Sequence, residues 1–330
     1  MTALSRTRGL LVIVTLGVVA FGAFVAWRFQ TDIEQARSRV AHGSTIVATP
    51  CGQIEYQEAG SGVPLLAIHG SGGGYDQGMA FAAPLAHYGI RVIAMSRFGY
   101  LRTPMPADAS AQAQADAHVC LLDALGIGQA AVLGGSAGAP SALQAAIRHP
   151  DRVSALILVA PLAYKPPTQA DSAAPMAPWV ENTMMAVIGS DFLFWAATHV
   201  MRGEMINTVL ATPPAVLAEA SVSERARINA MLDDILPVSA RAAGLRSDSA
   251  VGRTLGPSPL QLVHAPTLII AARDDRYGTF ASAEYTASQI AGARFIGFEN
   301  GGHTWVGHND EVISAIAALL NPTHEAVAPK

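Results

Sequence analysis

Short apolar runs recur along the chain at residues 65–68, 91–95, 130–133, 153–159, 267–272 and 295–298, each rich in β-branched or large side chains. All but 153–159 are followed by glycine or a polar cluster, and continuous runs of this length read as strands buried on both faces. Helical patterns lie between or after them at 111–125, 137–149 and 310–320. Such alternation predicts a mostly parallel sheet with helices on both faces. Two further runs, 45–48 and 53–58, read as a leading hairpin. From Pro161 to about Pro259 the pattern changes to proline-punctuated apolar helices, such as 177–201 and 221–243, which predicts a helical insertion before the sheet resumes.

A different pattern opens the chain. Gly9 and Trp27 bound 19 residues without a charge, with Arg6 and Arg8 before them and Arg28 after. As a helix this stretch spans about 28 Å, close to the thickness of a bilayer core. An uncleaved single-pass anchor is the preferred reading, with a cleaved signal peptide as the rival: the apolar stretch exceeds the usual signal core, and Ala20-Phe21-Gly22 lies before it ends. Arginines flank both sides, yet a short basic tail favours its retention in the cytoplasm and export of the large domain. Residues 28–43 read as a charged, helical juxtamembrane linker. The organisation is therefore an anchor and linker (1–43), a first core segment (44–160), a helical insertion (161–260) and a second core segment (261–330).

Composition narrows the partners. A chain of 330 residues, 51% hydrophobic and 14% charged, can bury a large core. A net charge of −4 and the lack of a basic run argue against nucleic acid. The two cysteines, Cys51 and Cys120, stand in no metal or redox spacing. Buried free thiols are the preferred reading, although an exported domain could pair them. The sequence leaves the oligomeric state open.

Candidate chemistry sits at the ends of the predicted strands. Behind the run 130–133, Gly134, Ser136 and Gly138 form a GxSxG motif, a tight turn that lifts a serine hydroxyl where a base and a substrate both reach it. His69-Gly70-Ser71-Gly72-Gly73-Gly74 follows 65–68, Asp274-Asp275 follows 267–272, and Gly302-His303 follows 295–298. Open α/β sheets place their sites along that carboxyl edge. Serine is a poor nucleophile at neutral pH and needs a base, itself oriented by an acid.

In these blocks the chain resembles the α/β-hydrolase family over about residues 44–320. The HGSGGG block is similar to that family's oxyanion loop, Ser96 to Thr103 to its glycine turn, and GGSAG to its nucleophile elbow. Ala265 to Asp275 is similar to the acid strand, and Gly301 to His303 to the histidine loop. The resemblance implies an α/β-hydrolase fold with a helical lid, here preceded by one transmembrane helix. It implies Ser136 as nucleophile, His303 as base and Asp275 as acid, with the amides of Ser71 and Ala137 forming the oxyanion hole. By family register Asp274 would instead cap the following helix, His308 is the rival base, and His69 would shape the oxyanion loop. Ser96 stands where Asp is common, Leu101 where a second glycine is common, and Ala272 and Thr279 where Gly and Pro usually flank the acid.

The implied activity is cleavage of carboxylic esters through an acyl-enzyme, without metal or organic cofactor. The methionines and aromatics of the insertion suit an apolar acyl pocket, with Gly72, Trp179 and Trp195 as lining residues, although core packing explains the same side chains. Lactonases, peptidases, carbon–carbon bond hydrolases, acyltransferases and a non-catalytic binding protein remain alternatives, because fold and triad do not separate them.

Overall fold

The computed structural model describes residues 3–167, 186 and 189–321. Its centre is an eight-stranded sheet built from β1 (Thr45–Thr49), β2 (Gly52–Ala59), β3 (Val63–Ile68), β4 (Ile90–Met95), β5 (Ala130–Gly135), β6 (Val153–Val159), β7 (Thr267–Ala272) and β8 (Arg294–Phe298). The strand order is β1-β2-β4-β3-β5-β6-β7-β8. β2 pairs antiparallel with β1 and with β4, so the leading hairpin closes one edge. All remaining pairings are parallel.

Two cores cover the sheet, and strand alternation sorts side chains between them. Leu66, Ile68, Val132, Leu156, Leu158 and Ile269 pack on one face with α3 (Ala111–Ala124) and α4 (Ala139–Arg148). Their neighbours Leu65, Leu133, Ile157 and Ile270 pack on the other, with α11 (Asn309–Leu320) and the end of α2 (Tyr75–Ala82). A Leu→Ala change on either face costs about 2–5 kcal/mol. The cores thus fix the strand ends on which the candidate residues stand.

Helix α1 (Ala3–His42) runs without a break through both the apolar stretch and the expected linker. It is long and apolar enough to cross a membrane, with Leu10, Ile13, Leu16, Phe21 and Phe24 each 55–68% exposed. Its second half is no free linker. Ile33, only 1% exposed, enters a third core with Ala36, Phe194, Ile206, Ile228 and Leu232.

That third core belongs to the segment between β6 and β7, which contains α5 (Asp191–Val200), α6 (Arg202–Val209), α7 (Pro214–Glu219), α8 (Val222–Asp233) and α9 (Ala242–Thr254). Of the helix expected over 177–201, residues 177–185 and 187–188 lie outside the described residues; α5 starts at the Ser190 cap, whose hydroxyl accepts from the Leu193 amide. The helix expected over 221–243 is interrupted. It ends at Asp233, and Pro237, which has no N–H to continue an α-helical ladder, precedes a 3-10 turn over Val238–Arg241 that leads into α9.

Pairing overturns the free-thiol reading. Cys51 and Cys120 form a disulfide, S–S 2.11 Å with Cα atoms 6.1 Å apart, which ties the β1–β2 hairpin to α3. The bond is an outcome of the fold, because 69 residues separate the cysteines and only the packing of α3 on β1 brings them together.

Candidate active site

The parallel register brings the candidate residues to one edge. Gly135 pairs with Val159, Val159 with Ile270, and Ala272 with Phe298, so the turns that follow β5, β7 and β8 open on the same side. Ser136 follows Gly135 directly in the left-handed region, φ +48°. This is a strained conformation for a residue with a Cβ, and neighbouring glycines permit it. At Gly134 a Cβ would lie 2.7 Å from Cβ of Ala142, and at Gly138 one would lie 2.6 Å from the His69 carbonyl oxygen. Both positions of the motif therefore require glycine for close packing. The same proximity brings the HGSGGG loop against the elbow: a Cβ on Gly70 would touch Ser136 Cβ at 3.0 Å.

The acid and base are in contact. His303 Nδ1 donates to Asp275 Oδ2 at 2.8 Å, and because an ionised carboxylate only accepts, this bond leaves Nε2 of a neutral ring as the basic nitrogen. Asp275 is 5% exposed. It also accepts from the Tyr277 amide through Oδ1 at 2.8 Å and from the Thr279 hydroxyl through Oδ2. Burial works to raise the Asp275 pKa, but the His303 hydrogen bond and charge, with Thr279 and Tyr277, outweigh it and hold the carboxyl below its ordinary value. Tyr277 packs edge-on against the imidazole with ring centres 4.9 Å apart.

Asp274 has another task than the expected helix cap. Its carboxylate accepts from the amides of Gly302 at 2.8 Å and Gly301 at 3.3 Å, bracing the loop that carries His303. The insertion braces it from the other side, where the Ala211 carbonyl accepts the His303 amide at 3.3 Å and Thr212 Oγ1 meets Thr304 Oγ1 at 2.8 Å. The rival base His308 stacks on Phe298, with Nε2 3.2 Å from Asn300 Oδ1.

His69 is fully buried, with Nδ1 2.7 Å from the Gly70 carbonyl and Nε2 accepting from the Arg97 amide at 2.9 Å. Desolvation first, then the charge of Arg97, holds its pKa well below the usual imidazole value against the opposing Gly70 hydrogen bond. A neutral ring with both nitrogens engaged shapes the loop. Gly72 adopts φ +73°, and a Cβ there would meet Ile235 at 3.7 Å. Trp195 goes elsewhere than the expected pocket. Its ring contacts Phe29 and its Nε1 donates to Asp32, both on α1, because a large aromatic on the inner face of α5 is drawn into the third core. Trp179 lies outside the described residues.

Several contributors escaped the sequence. Thr279 donates through its hydroxyl to the Asp275 carboxylate. Ser96 donates through Oγ at 2.8 Å to Glu55 of β2, a fully buried carboxylate that also accepts from Arg102 Nε at 2.7 Å. Leu101, in place of a glycine, holds φ +50° while its amide donates to the Ala240 carbonyl at 2.8 Å. Arg97 and Tyr100 of the same block meet Asp248 of α9. No spacing signal links residues from such distant parts of the chain.

Known proteins share this architecture. A 2-hydroxymuconate semialdehyde hydrolase of Pseudomonas sp. (strain CF600) is 42% identical over 106 residues, 31% of this chain and 38% of that protein. A 2-hydroxy-6-oxo-6-phenylhexa-2,4-dienoate hydrolase of Comamonas testosteroni is 33% identical over 113 residues, 33% of this chain and 40% of that protein. The chain thus matches about two-fifths of the length of these relatives. Among solved structures, an alpha/beta hydrolase fold protein from Nakamurella multipartita superposes with a TM-score of 0.63 at 28% identity, covering 84% of this chain and 98% of that one. The family model for the alpha/beta hydrolase fold matches residues 63–306, which include every strand from β3 to β8 and all four candidate loops, and the chain belongs to that family.

Proposed function

We propose that the protein is a serine hydrolase of carboxylic esters, tethered to a membrane by α1. The observation that carries this reading is the buried Asp275–His303 pair on the same sheet edge as Ser136 at its strained turn. Ser136 Oγ attacks the ester carbonyl as its proton passes to His303 Nε2. The amides of Ala137 and Ser71 receive the developing oxyanion, and Asp275 stabilises the imidazolium. The alkoxide leaves with the proton from His303, and water, activated by the same imidazole, hydrolyses the acyl-enzyme and restores Ser136.

The named relatives support a second reading, hydrolysis of a carbon–carbon bond in a dienoate. Charge favours the ester. The two guanidinium groups bonded to the glycine-rich loop spend their charge on protein carboxylates, Arg97 on Asp248 at 2.7 Å and Arg241 on Asp76 at 2.6 Å, which suits an uncharged acyl chain. Fluorophosphonate labelling mapped to Ser136, followed by p-nitrophenyl butyrate and a dienoate ketone as alternative substrates, tests both readings. Ester turnover with a pre-steady-state burst supports the proposal; cleavage of the dienoate alone overturns its ester part; absence of labelling in folded protein overturns the nucleophile.

The Cys51–Cys120 disulfide supports placement of the catalytic body in an oxidising compartment. Protease digestion of sealed vesicles of known orientation tests this, and a body protected in right-side-out vesicles would refute export.

A further inference from the structure

The loop proposed to carry an oxyanion donor has little packing of its own. Gly72, Gly73 and Gly74 are consecutive, and the Ser71 side chain is exposed. Its shape depends on a buried cluster. Arg97 Nε donates to the His69 carbonyl at 2.9 Å, and Nη2 donates to the Gly70 carbonyl at 3.2 Å. The Gly72 amide donates to the Tyr100 hydroxyl at 3.4 Å.

One carboxylate organises all of these groups, and it comes from the insertion. Asp248 on α9 accepts from Arg97 Nη1 through Oδ1 and from Arg97 Nη2 through Oδ2, both at 2.7 Å. Oδ2 also accepts from the Tyr100 hydroxyl at 2.5 Å and from Ser71 Oγ at 2.8 Å. The Arg97 and Asp248 side chains are 8% and 9% exposed. A buried guanidinium that loses its counterion is strongly disfavoured, so the loop and α9 cannot separate independently.

We propose that Asp248 is a positioning residue for the oxyanion hole: the insertion lends its carboxylate to Arg97, Tyr100 and Ser71, and the hole is formed only while α9 is seated. This rests on the serine-hydrolase reading above. Asp248 does not touch the reacting atoms. It fixes Arg97, which holds the carbonyls on either side of the Gly70 amide, and it holds Ser71, whose own amide faces the oxyanion. Displacement of α9 removes the strut and the hole together, so closure over substrate and competence for chemistry become one event.

The test uses the full chain in dodecyl maltoside micelles and the second-order rate of fluorophosphonate labelling. In that reaction Ser136 Oγ bonds to phosphorus, fluoride leaves, the serine proton passes to His303, and the phosphoryl oxygen takes the oxyanion position. Wild type labels at Ser136, and Asp248→Asn labels about 10- to 100-fold more slowly, with the same loss in kcat for an ester and KM within about twofold. Should Asp248→Asn fail to fold, the double variant Arg97→Met/Asp248→Leu exchanges the buried pair for apolar groups, a change often tolerated in stability, and shows the same slow labelling. Ser71→Ala keeps the backbone N–H and loses one strut, giving a smaller decrease of about threefold. Labelling of a folded Asp248 variant within about twofold of wild type overturns the inference and leaves the triad standing. A wild type that does not label overturns the serine-hydrolase reading and this inference with it.

Discussion

The two ends of the site are held by different means. At the acid–histidine end, Asp274 and Asp275 come from the loop after β7 and Thr279 from the helix start that follows it, and their contacts reach the adjacent loop after β8. At the end proposed to receive the oxyanion, the loop after β3 is held by Arg97 from the loop after β4 and by Asp248 and Arg241 from the insertion. The first end takes its acid–base pair from neighbouring strands of the core, and the insertion adds a brace to the histidine loop through Ala211 and Thr212. The second depends on charges carried in from a segment with its own core, and through Arg39, which shares Asp76 with Arg241, it reaches α1, the helix long and apolar enough to cross a membrane. Both ends therefore touch the insertion, but only the loop after β3 relies on it for the counterion of a buried arginine, Arg97 on Asp248.

Substitutions can break that comparison at each end. The largest effects belong to the chemistry itself. Ser136→Ala lowers kcat by about 10^6-fold and Asp275→Asn by about 10^4-fold, measured with an activated ester. Asp274→Asn, which weakens only the brace of the His303 loop, costs about tenfold by comparison. Equal losses for the two aspartates would remove the division of labour drawn from their contacts.

Truncation addresses the link to α1. A chain beginning at Arg28 keeps its melting temperature, whereas one beginning at Gly43 loses the buried Ile33 and Val40 and at least about 3 kcal/mol of stability. Equal denaturant midpoints for the two chains would make residues 28–42 a mere linker. Replacing both Cys51 and Cys120 by alanine opens a bridge across 69 residues and costs about 4 kcal/mol in urea unfolding, with kcat unchanged in protein that stays folded.

The smallest effect is a pH dependence. Burial pushes the Asp76 carboxyl upward, but Arg241 and Arg39 outweigh it and its folded pKa lies below the ordinary value. A depressed carboxylate pKa adds stability that is present above the unfolded value, about 3.9, and lost as pH falls through the folded one. The excess melting temperature of wild type over Asp76→Asn is therefore full at pH 6 and shrinks below about pH 4. A constant difference down to pH 2 would contradict the assignment.

Much of this was legible along the chain. Strands β6 and β7 fall at the residues their apolar runs occupy, because a strand buried on both faces must be continuously hydrophobic. The elbow, acid and histidine blocks are legible because glycines that permit close packing and the reactive side chains are neighbours in sequence. Helices α2 and α10 (Thr279–Gln289) have only weak apolar patterns of their own, because both are short and α10 is largely polar. The place of Trp195 is not legible along the chain, because an aromatic in an apolar helix satisfies a pocket and a core equally well until its partner on α1 is seen.

The sequence by itself determined the family fold, the three candidate catalytic side chains and a helix able to cross a membrane, since each is written in a local run of residues. Tertiary structure alone decided that Cys51 meets Cys120, that Ser96 bonds to the buried carboxylate of Glu55, and that Asp248 bonds to Ser71 in the glycine-rich loop after β3. The reason is physical. Periodicity and turn chemistry act over a few residues, whereas a buried charge or thiol is satisfied by whichever partner the packed chain brings within bonding distance, however far along the sequence it lies.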